Sequence, residues 1–422
     1  MNLTLLARKR LVFFAVIFYA FICTIGIFDH FYIYIISDKY FFWMATVMLI
    51  IPYIGSSGYG IPNFRLNWWA FLILLFMAII GFIQPNFKST EYQYDLFCYL
   101  RFFIFVLIGF QREFFTTIKK AMFITLVVGI CANIFGLLSA ETFVRALVEE
   151  KTLAYKMQYM LIPAFYYLFL YDTLTKAERR IVIIAICIYG IEQILFQKRL
   201  PTLRVVIYLA FYTYSLTLFG KNGGIKFAEI IQRIGLFIIG IFVVIQLVSI
   251  IGFKVDEYFT LLIERFYGKG ENVSETLEED SRWEIGNIFY ESLWNSGEIF
   301  TGRGLGGIVY DQTFIKDDEN GFTYRSAAEL GIPTMLLKGG FLLVGLFAIY
   351  LVKIGKLYKK VKQNVYLFAA WINVIIWFLF LYPEGFIGNY YNPFEILLAY
   401  SIGMLLSFKI KDMKEYEPNP LY

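Results

Sequence analysis

Histidine is almost missing from this chain: His30 is the only one in 422 residues. That excludes metal sites built on several histidines, and any Ser/His/Asp triad not centred on that residue. Charge is scarce as well. Asp, Glu, Lys and Arg together make up 17% of the chain, against about 25% in an ordinary soluble domain. The four cysteines, Cys23, Cys98, Cys131 and Cys187, all fall within apolar runs, where a thiol behaves as a small hydrophobe, so they indicate neither disulfide nor metal. No Asp-x-Asp pair stands out as a divalent-metal ligand. What the chain has in excess is apolar side chains, at 59% of residues, a balance that belongs in lipid.

A hydrocarbon core of ~30 Å takes roughly 20 apolar residues per helix, and runs of that kind recur from Leu11 to Phe408. They predict helices at 11–28, 40–55, 67–84, 97–110, 121–138, 157–172, 181–197, 201–219, 234–252, 333–353, 364–382 and 393–409. Arg8, Lys9 and Arg10 ahead of the first run give it the look of a secretory signal, but no small-residue cleavage pattern follows, so it reads as a retained helix. The short loops sort by charge under the positive-inside rule. Those carrying Arg112, Lys119 and Lys120, then Lys176, Arg179 and Arg180, then Lys221, Lys226 and Arg233, then Lys353, Lys356, Lys359, Lys360 and Lys362 are assigned to the cytoplasm. The alternate loops, such as Gln84 to Asp95 and Tyr382 to Pro393, are poor in basic residues, with Lys198 and Arg199 breaking the pattern. Both termini come out cytoplasmic. The division expected is helices 1 to 9 over 1–253, a large extracytoplasmic loop over 254–332, and helices 10 to 12 with a cytoplasmic tail over 333–422. The net charge of +5 is then the cytoplasmic face meeting anionic lipid in the bilayer, not a footprint for nucleic acid.

Ionisable groups inside membrane helices are costly and point to cavities or partners. In this topology Arg101, Glu192, Lys198, Arg199, Arg204, Lys338 and Glu395 fall in or near the outer halves of their helices, and the inner halves have almost none. A transporter keeps its polar site near the midplane with routes to both sides, whereas here the polarity is one-sided. Taken singly, each of these residues is equally well read as snorkelling to outer headgroups.

Within the loop, a strongly acidic stretch from Glu271 to Asp280 is followed by Ser281-Arg282-Trp283-Glu284. This fits a capping box, so a helix is expected to begin there and reach about Trp294. Ile285, Ile288, Phe289 and Leu293 share one face, which should pack on the bundle and make the helix a lid or wall. Arg282 in the first turn, beside unpaired backbone N–H groups, forms an anion site, or else answers the acidic stretch as a surface arginine. Gly302-Arg303-Gly304-Leu305-Gly306-Gly307 allows tight turning and close approach to a phosphate or sugar, or is a plain loop. It lacks dinucleotide-fingerprint spacing. Arg325 and Glu329 are four apart and would share a face of a short helix. They are either a salt bridge or an anion-binding arginine beside a carboxylate that deprotonates a hydroxyl. Gly331 and Pro333 should break any helix before the next span.

These patterns resemble the O-antigen polymerase and O-antigen ligase superfamily, integral membrane glycosyltransferases acting on undecaprenyl-diphosphate-linked glycans. Asp280-Ser281-Arg282-Trp283, Gly302-Arg303-Gly304-Leu305-Gly306 and Leu336-Leu337-Lys338-Gly339-Gly340-Phe341 look like that family's arginine, glycine run and following helix, in the right order. Gln197-Lys198-Arg199-Leu200-Pro201-Thr202 is similar to its basic motif before the long loop. The resemblance implies an all-α polytopic, GT-C-like membrane protein of about 12 transmembrane helices with one large extracytoplasmic loop. It further implies a bacterial cytoplasmic-membrane enzyme whose active site faces the periplasm or exterior and which joins lipid-linked repeat units without metal or other cofactor. A chain-length regulator and a flippase are its expected companions. Glu329, Arg282 and Arg325 are the catalytic candidates, and Arg199, Arg204, Arg303, Lys338 and Tyr324 the diphosphate- or sugar-binding ones. Tyr290 and Trp294 join Tyr324 as stacking candidates. One departure stands out: the family histidine shortly before Leu336 is replaced here by Glu329. A ligase passing a finished glycan to a lipid or protein acceptor, a lipid-linked oligosaccharide flippase, and a peptidoglycan glycosyltransferase remain rivals.

Overall fold

The computed structural model describes residues 4–27, 64–83, 90–138, 157–196, 199–219, 282–310, 324–327, 330–381 and 392–407. The described residues are 85% helical, so this part of the chain is mainly α. In chain order the helices are α1 (Leu5–Ile27), α2 (Phe64–Ile83), α3 (Thr90–Gly109), α4 (Phe115–Leu138), α5 (Pro163–Phe169), α6 (Lys176–Phe196), α7 (Arg199–Phe219), α8 (Arg282–Asn295), α9 (Gly331–Gly355), α10 (Tyr358–Val361), α11 (Val365–Phe380) and α12 (Phe394–Ser407). Strands β1 (Val309–Tyr310) and β2 (Tyr324–Arg325) form one antiparallel ladder. The helices expected at 40–55 and 234–252, and the acidic stretch before Ser281, lie outside the described residues.

Among the described residues, Glu91–Gly109, Phe115–Gly136, Thr202–Phe219 and Gly331–Gly355 are long and apolar enough to cross a membrane, and three apolar helices are shorter. Trp68, Trp69, Leu75, Phe82 and Ile83 stand exposed along α2, as do Phe341, Leu342, Ile349 and Val352 along α9. Rows of exposed apolar side chains on this scale suit contact with hydrocarbon, not water.

Local chemistry sets several helix boundaries. Thr175 and Glu178 form a reciprocal capping box, with Thr175 N donating to Glu178 Oε2 at 2.8 Å and Glu178 N donating to Thr175 Oγ1 at 3.3 Å. Asn364 caps α11 by accepting from the N–H groups of Tyr366 and Leu367. Two expectations shift. The segment read as a loop from Gln84 to Asp95 turns helical at Thr90, so Asp95 lies inside α3; Glu91 in the first turn suits the positive end of the helix dipole. The span expected from Pro333 starts two residues earlier, at Gly331, after an extended Leu330, because proline's missing N–H is harmless in a first helical turn.

Interhelical contacts sort the two ends of the bundle. Arg8 pairs with Glu113 at 3.7 Å in the turn between α3 and α4. Lys119 sits 5.2 Å from the Tyr366 ring at the start of α11, and Trp371 Nε1 donates to Ile354 O near the end of α9 at 3.0 Å. Basic residues therefore gather at this end. In the opposite half, Arg101 donates to the Tyr19 hydroxyl and to the Glu395 carboxylate, all three buried. Parallel α3 and α12 touch so closely that a Cβ on Gly403 would lie 1.9 Å from Val106 O, the small-residue contact that lets membrane helices approach.

Candidate functional site

Lys338, in the third turn of α9, is 1% exposed, and a buried ammonium needs a partner. Asp95 Oδ2 supplies it at 2.6 Å. The same carboxylate oxygen accepts the Gly306 N–H at 2.7 Å, and Lys338 Nζ donates to Gly307 O at 3.0 Å. The chain from Glu298 to Gly307 is thus drawn in between membrane helices. Its backbone continues the pattern, with Leu305 N donating to Met77 O at 3.0 Å and Arg303 N to Leu337 O at 2.7 Å. Phe341 N donates to Ile299 O at 3.1 Å where α9 is kinked at Gly340.

The glycines are explained by that insertion. Gly304 has φ +77°, and a Cβ there would fall 2.3 Å from Gly81 N of α2. Gly340 has φ +57°, and its Cβ would fall 2.2 Å from Phe300 O. Only a residue without a side chain fits such conformations and contacts. What the glycine run approaches is the backbone of α2, α3 and α9.

Arg303 is held from all three of its nitrogens. Nε pairs with Glu298 at 2.7 Å, Nη1 donates to Ile308 O at 2.7 Å, and Nη2 donates to Ser292 Oγ at 2.9 Å. Burial alone would raise the Glu298 carboxyl, but hydrogen bonds from Arg303 and Ser296 and the Arg303 charge outweigh it and hold the group below the usual value. Helix α8 begins at Arg282 and ends one residue past the expected Trp294. Its face of Ile285, Phe289 and Leu293 is buried against Leu330, Leu336 and Leu337, with Ile288 and Tyr290 at the margin. Trp294 points away, exposed.

The hairpin completes the assembly. Val309, two residues after Gly307, pairs with Arg325, and Tyr310 pairs with Tyr324 with ring centroids 6.1 Å apart. Arg325 is therefore on a strand, half-buried, and helical spacing does not relate it to Glu329. Arg204 of α7 is buried with its guanidinium 5.1 Å from the Phe380 ring centroid. Arg199 begins α7 and Arg282 begins α8, but their side chains, like all of Glu329, lie outside what is described. Sequence reasoning named Asp95 only as a loop end and missed Glu298 and Ser292; starting α3 one turn earlier would have exposed Asp95 as an intramembrane carboxylate.

Apolar helices of membrane-spanning length around buried ion pairs are the features of an α-helical membrane protein. No protein-family model, curated protein or solved structure matches it.

Proposed function

We propose that the chain is a polymerase joining undecaprenyl-diphosphate-linked repeat units of an O-antigen, capsule or exopolysaccharide on the outer face of a bacterial cytoplasmic membrane. The observation that carries the reading is the meeting of three separated patterns: the Arg282 helix, the glycine run and the Lys338-Gly339-Gly340 segment interlock through Leu336, Leu337 and Arg303. Together they hold Arg325 and Tyr324 on a ladder beside Gly307.

In the proposed reaction a sugar hydroxyl of one repeat unit attacks the anomeric carbon of another lipid-linked glycan. The new C–O bond forms as the bond to the diphosphate oxygen breaks, the hydroxyl proton passes to Glu329, and undecaprenyl diphosphate leaves with its charge. Arg282, Arg325, Arg199 and Arg204 bind that diphosphate, since a planar guanidinium meets phosphate bidentately and stabilises the developing oxyanion. Lys338 and Arg303, whose donors are taken by Asp95, Gly307, Glu298, Ile308 and Ser292, act on it through the wall they hold. Tyr324 offers an exposed ring to a sugar.

Purified protein given lipid-linked repeat units alone should yield a ladder of lengths, undiminished by a chelator. Arg199→Ala, Arg282→Ala and Glu329→Gln should each abolish the ladder at normal membrane abundance. Full-length polymer from all three variants would remove the site, and transfer only after addition of a separate acceptor would make the protein a ligase.

A further inference from the structure

Three carboxylates are buried among the described residues, and two of them have a cation of their own: Asp95 pairs with Lys338 and Glu395 with Arg101. The third is Glu192 of α6, which is 0% exposed. Neither of its oxygens meets a hydrogen-bond donor among the described residues, and Arg204 of α7 lies over the Phe380 ring instead. An intramembrane carboxyl without a partner is costly, and where it persists it points to something bound.

Glu192 does not stand alone. Val182, Ala185, Tyr189 and Glu192 form the buried face of α6, and Tyr189 packs edge-on against Phe165 of α5 with ring centroids 5.3 Å apart. The two helices are joined through a short turn at Tyr171–Thr173 and so run antiparallel. Three residues on from that contact, Glu192 is level with Ile162, where the buried helix that starts at Met157 is interrupted ahead of Pro163. Gln158, seven residues before Phe165, shares its helix face and comes about 6 Å further along the axis. Gln158 is buried, and both ends of its amide are unpartnered among the described residues. From α4, Asn133 donates its Nδ2 to Met157 O at 3.0 Å, while its Oδ1 accepts from no described residue. Oxygens of three buried side chains thus collect around the interruption, on the side away from the basic end.

The donor set says what fits. Carboxylate and amide oxygens are hard ligands, of the kind taken by alkali and alkaline-earth ions. One carboxylate balances one positive charge, which selects a monovalent ion. A proton on Glu192 would serve one oxygen and leave the amide oxygens of Gln158 and Asn133 unmet, whereas a single ion draws several oxygens at once. Helices interrupted within the membrane are also where backbone carbonyls become available to such ions. We propose that Glu192, Gln158 and Asn133 bind a sodium ion where the buried helix is interrupted before Pro163. Glu192 supplies the charge, the two amide oxygens complete the shell, and so few ligands suit the smaller alkali ion. This site goes beyond the polymerase reading and does not depend on it.

Thermal unfolding of the purified full chain in equal concentrations of sodium, potassium or N-methylglucamine chloride tests it. Sodium should raise Tm above the organic cation by roughly 3 °C once it exceeds its dissociation constant about a hundredfold, with potassium giving the smaller shift. Equal midpoints in the three salts, or a larger shift with potassium, would overturn the proposal. Radioactive sodium should bind the wild-type chain saturably at a single site. Glu192→Gln, which keeps the shape and removes the charge, should lose that binding while unfolding as cooperatively as wild type. Sodium binding retained in Glu192→Gln, or none in wild type, would also overturn it, and the wild-type measurements decide the matter should the variant fail to fold.

Discussion

The Asp95 carboxylate sits at a crossing of charge and backbone, holding the Lys338 ammonium and the Gly306 N–H with one oxygen. Removing one partner of a buried pair leaves the other uncompensated, a loss of about 3–5 kcal/mol, whereas replacing both by apolar groups is far milder. Asp95→Asn should therefore lower the thermal midpoint of the purified protein sharply, and Asp95→Leu combined with Lys338→Met should recover much of it. Additive losses in that double-mutant cycle would mean that the two groups do not depend on each other. Glu298 gives a pH signature. Its folded carboxyl is held below the unfolded value, so its contribution is full above the unfolded pKa of about 4.3 and disappears as pH falls through the lower folded value. The difference in midpoint between wild type and Glu298→Gln should be largest near neutrality and close below pH ~4. A difference that persists at low pH would detach Glu298 from Arg303.

At the scale of elements, α8 was readable in advance because a local signal set both its start and its face: a Ser-x-x-Glu box followed by Ile285, Ile288, Phe289 and Leu293 at helical spacing. The destination of the glycine run was not. Positive φ and the absence of Cβ serve a ligand's approach and a helix's approach equally well, and the partner that decides between them, Asp95, lies 211 residues from Gly306. The Arg101 pair with Glu395 spans 294 residues; depth placed both in one half of the bundle but could not join them. Arg325 was misread for a different reason, since its i, i+4 spacing from Glu329 suits a helix but cross-strand pairing with Val309 prevails. Two glycines separate backbone conformation from packing. Gly297 has φ +73° with nothing within 4 Å of an added Cβ, while Gly304 has φ +77° with Gly81 N at 2.3 Å. Gly297→Ala should cost only the left-handed backbone term, about 1–2 kcal/mol. Gly304→Ala should cost clearly more in thermal unfolding, and equal losses would contradict the tight insertion against α2.

For the molecule as a whole, apolar composition conveyed its class and basic residues conveyed its two ends. Arg8, Lys119, Arg179 and Lys359 gather at one end of the bundle, and the Lys338 assembly occupies the other half. If those ends face opposite sides of a membrane, an impermeant maleimide applied to intact cells should label Trp294→Cys and not Lys359→Cys, the latter reacting only after permeabilisation. Labelling of both from outside would refute the proposed orientation. The insertion of Gly302 to Gly307 also bears on how the protein comes into being. Its hydrogen-bond acceptors in α2 and α3, Met77 O and the Asp95 carboxylate, leave the ribosome more than two hundred residues before its own amides do, and its remaining clamp, Leu337 O, follows later still. The early helices are therefore made with the Asp95 carboxylate still awaiting its ammonium, and the bundle locks only after Lys338 has been added.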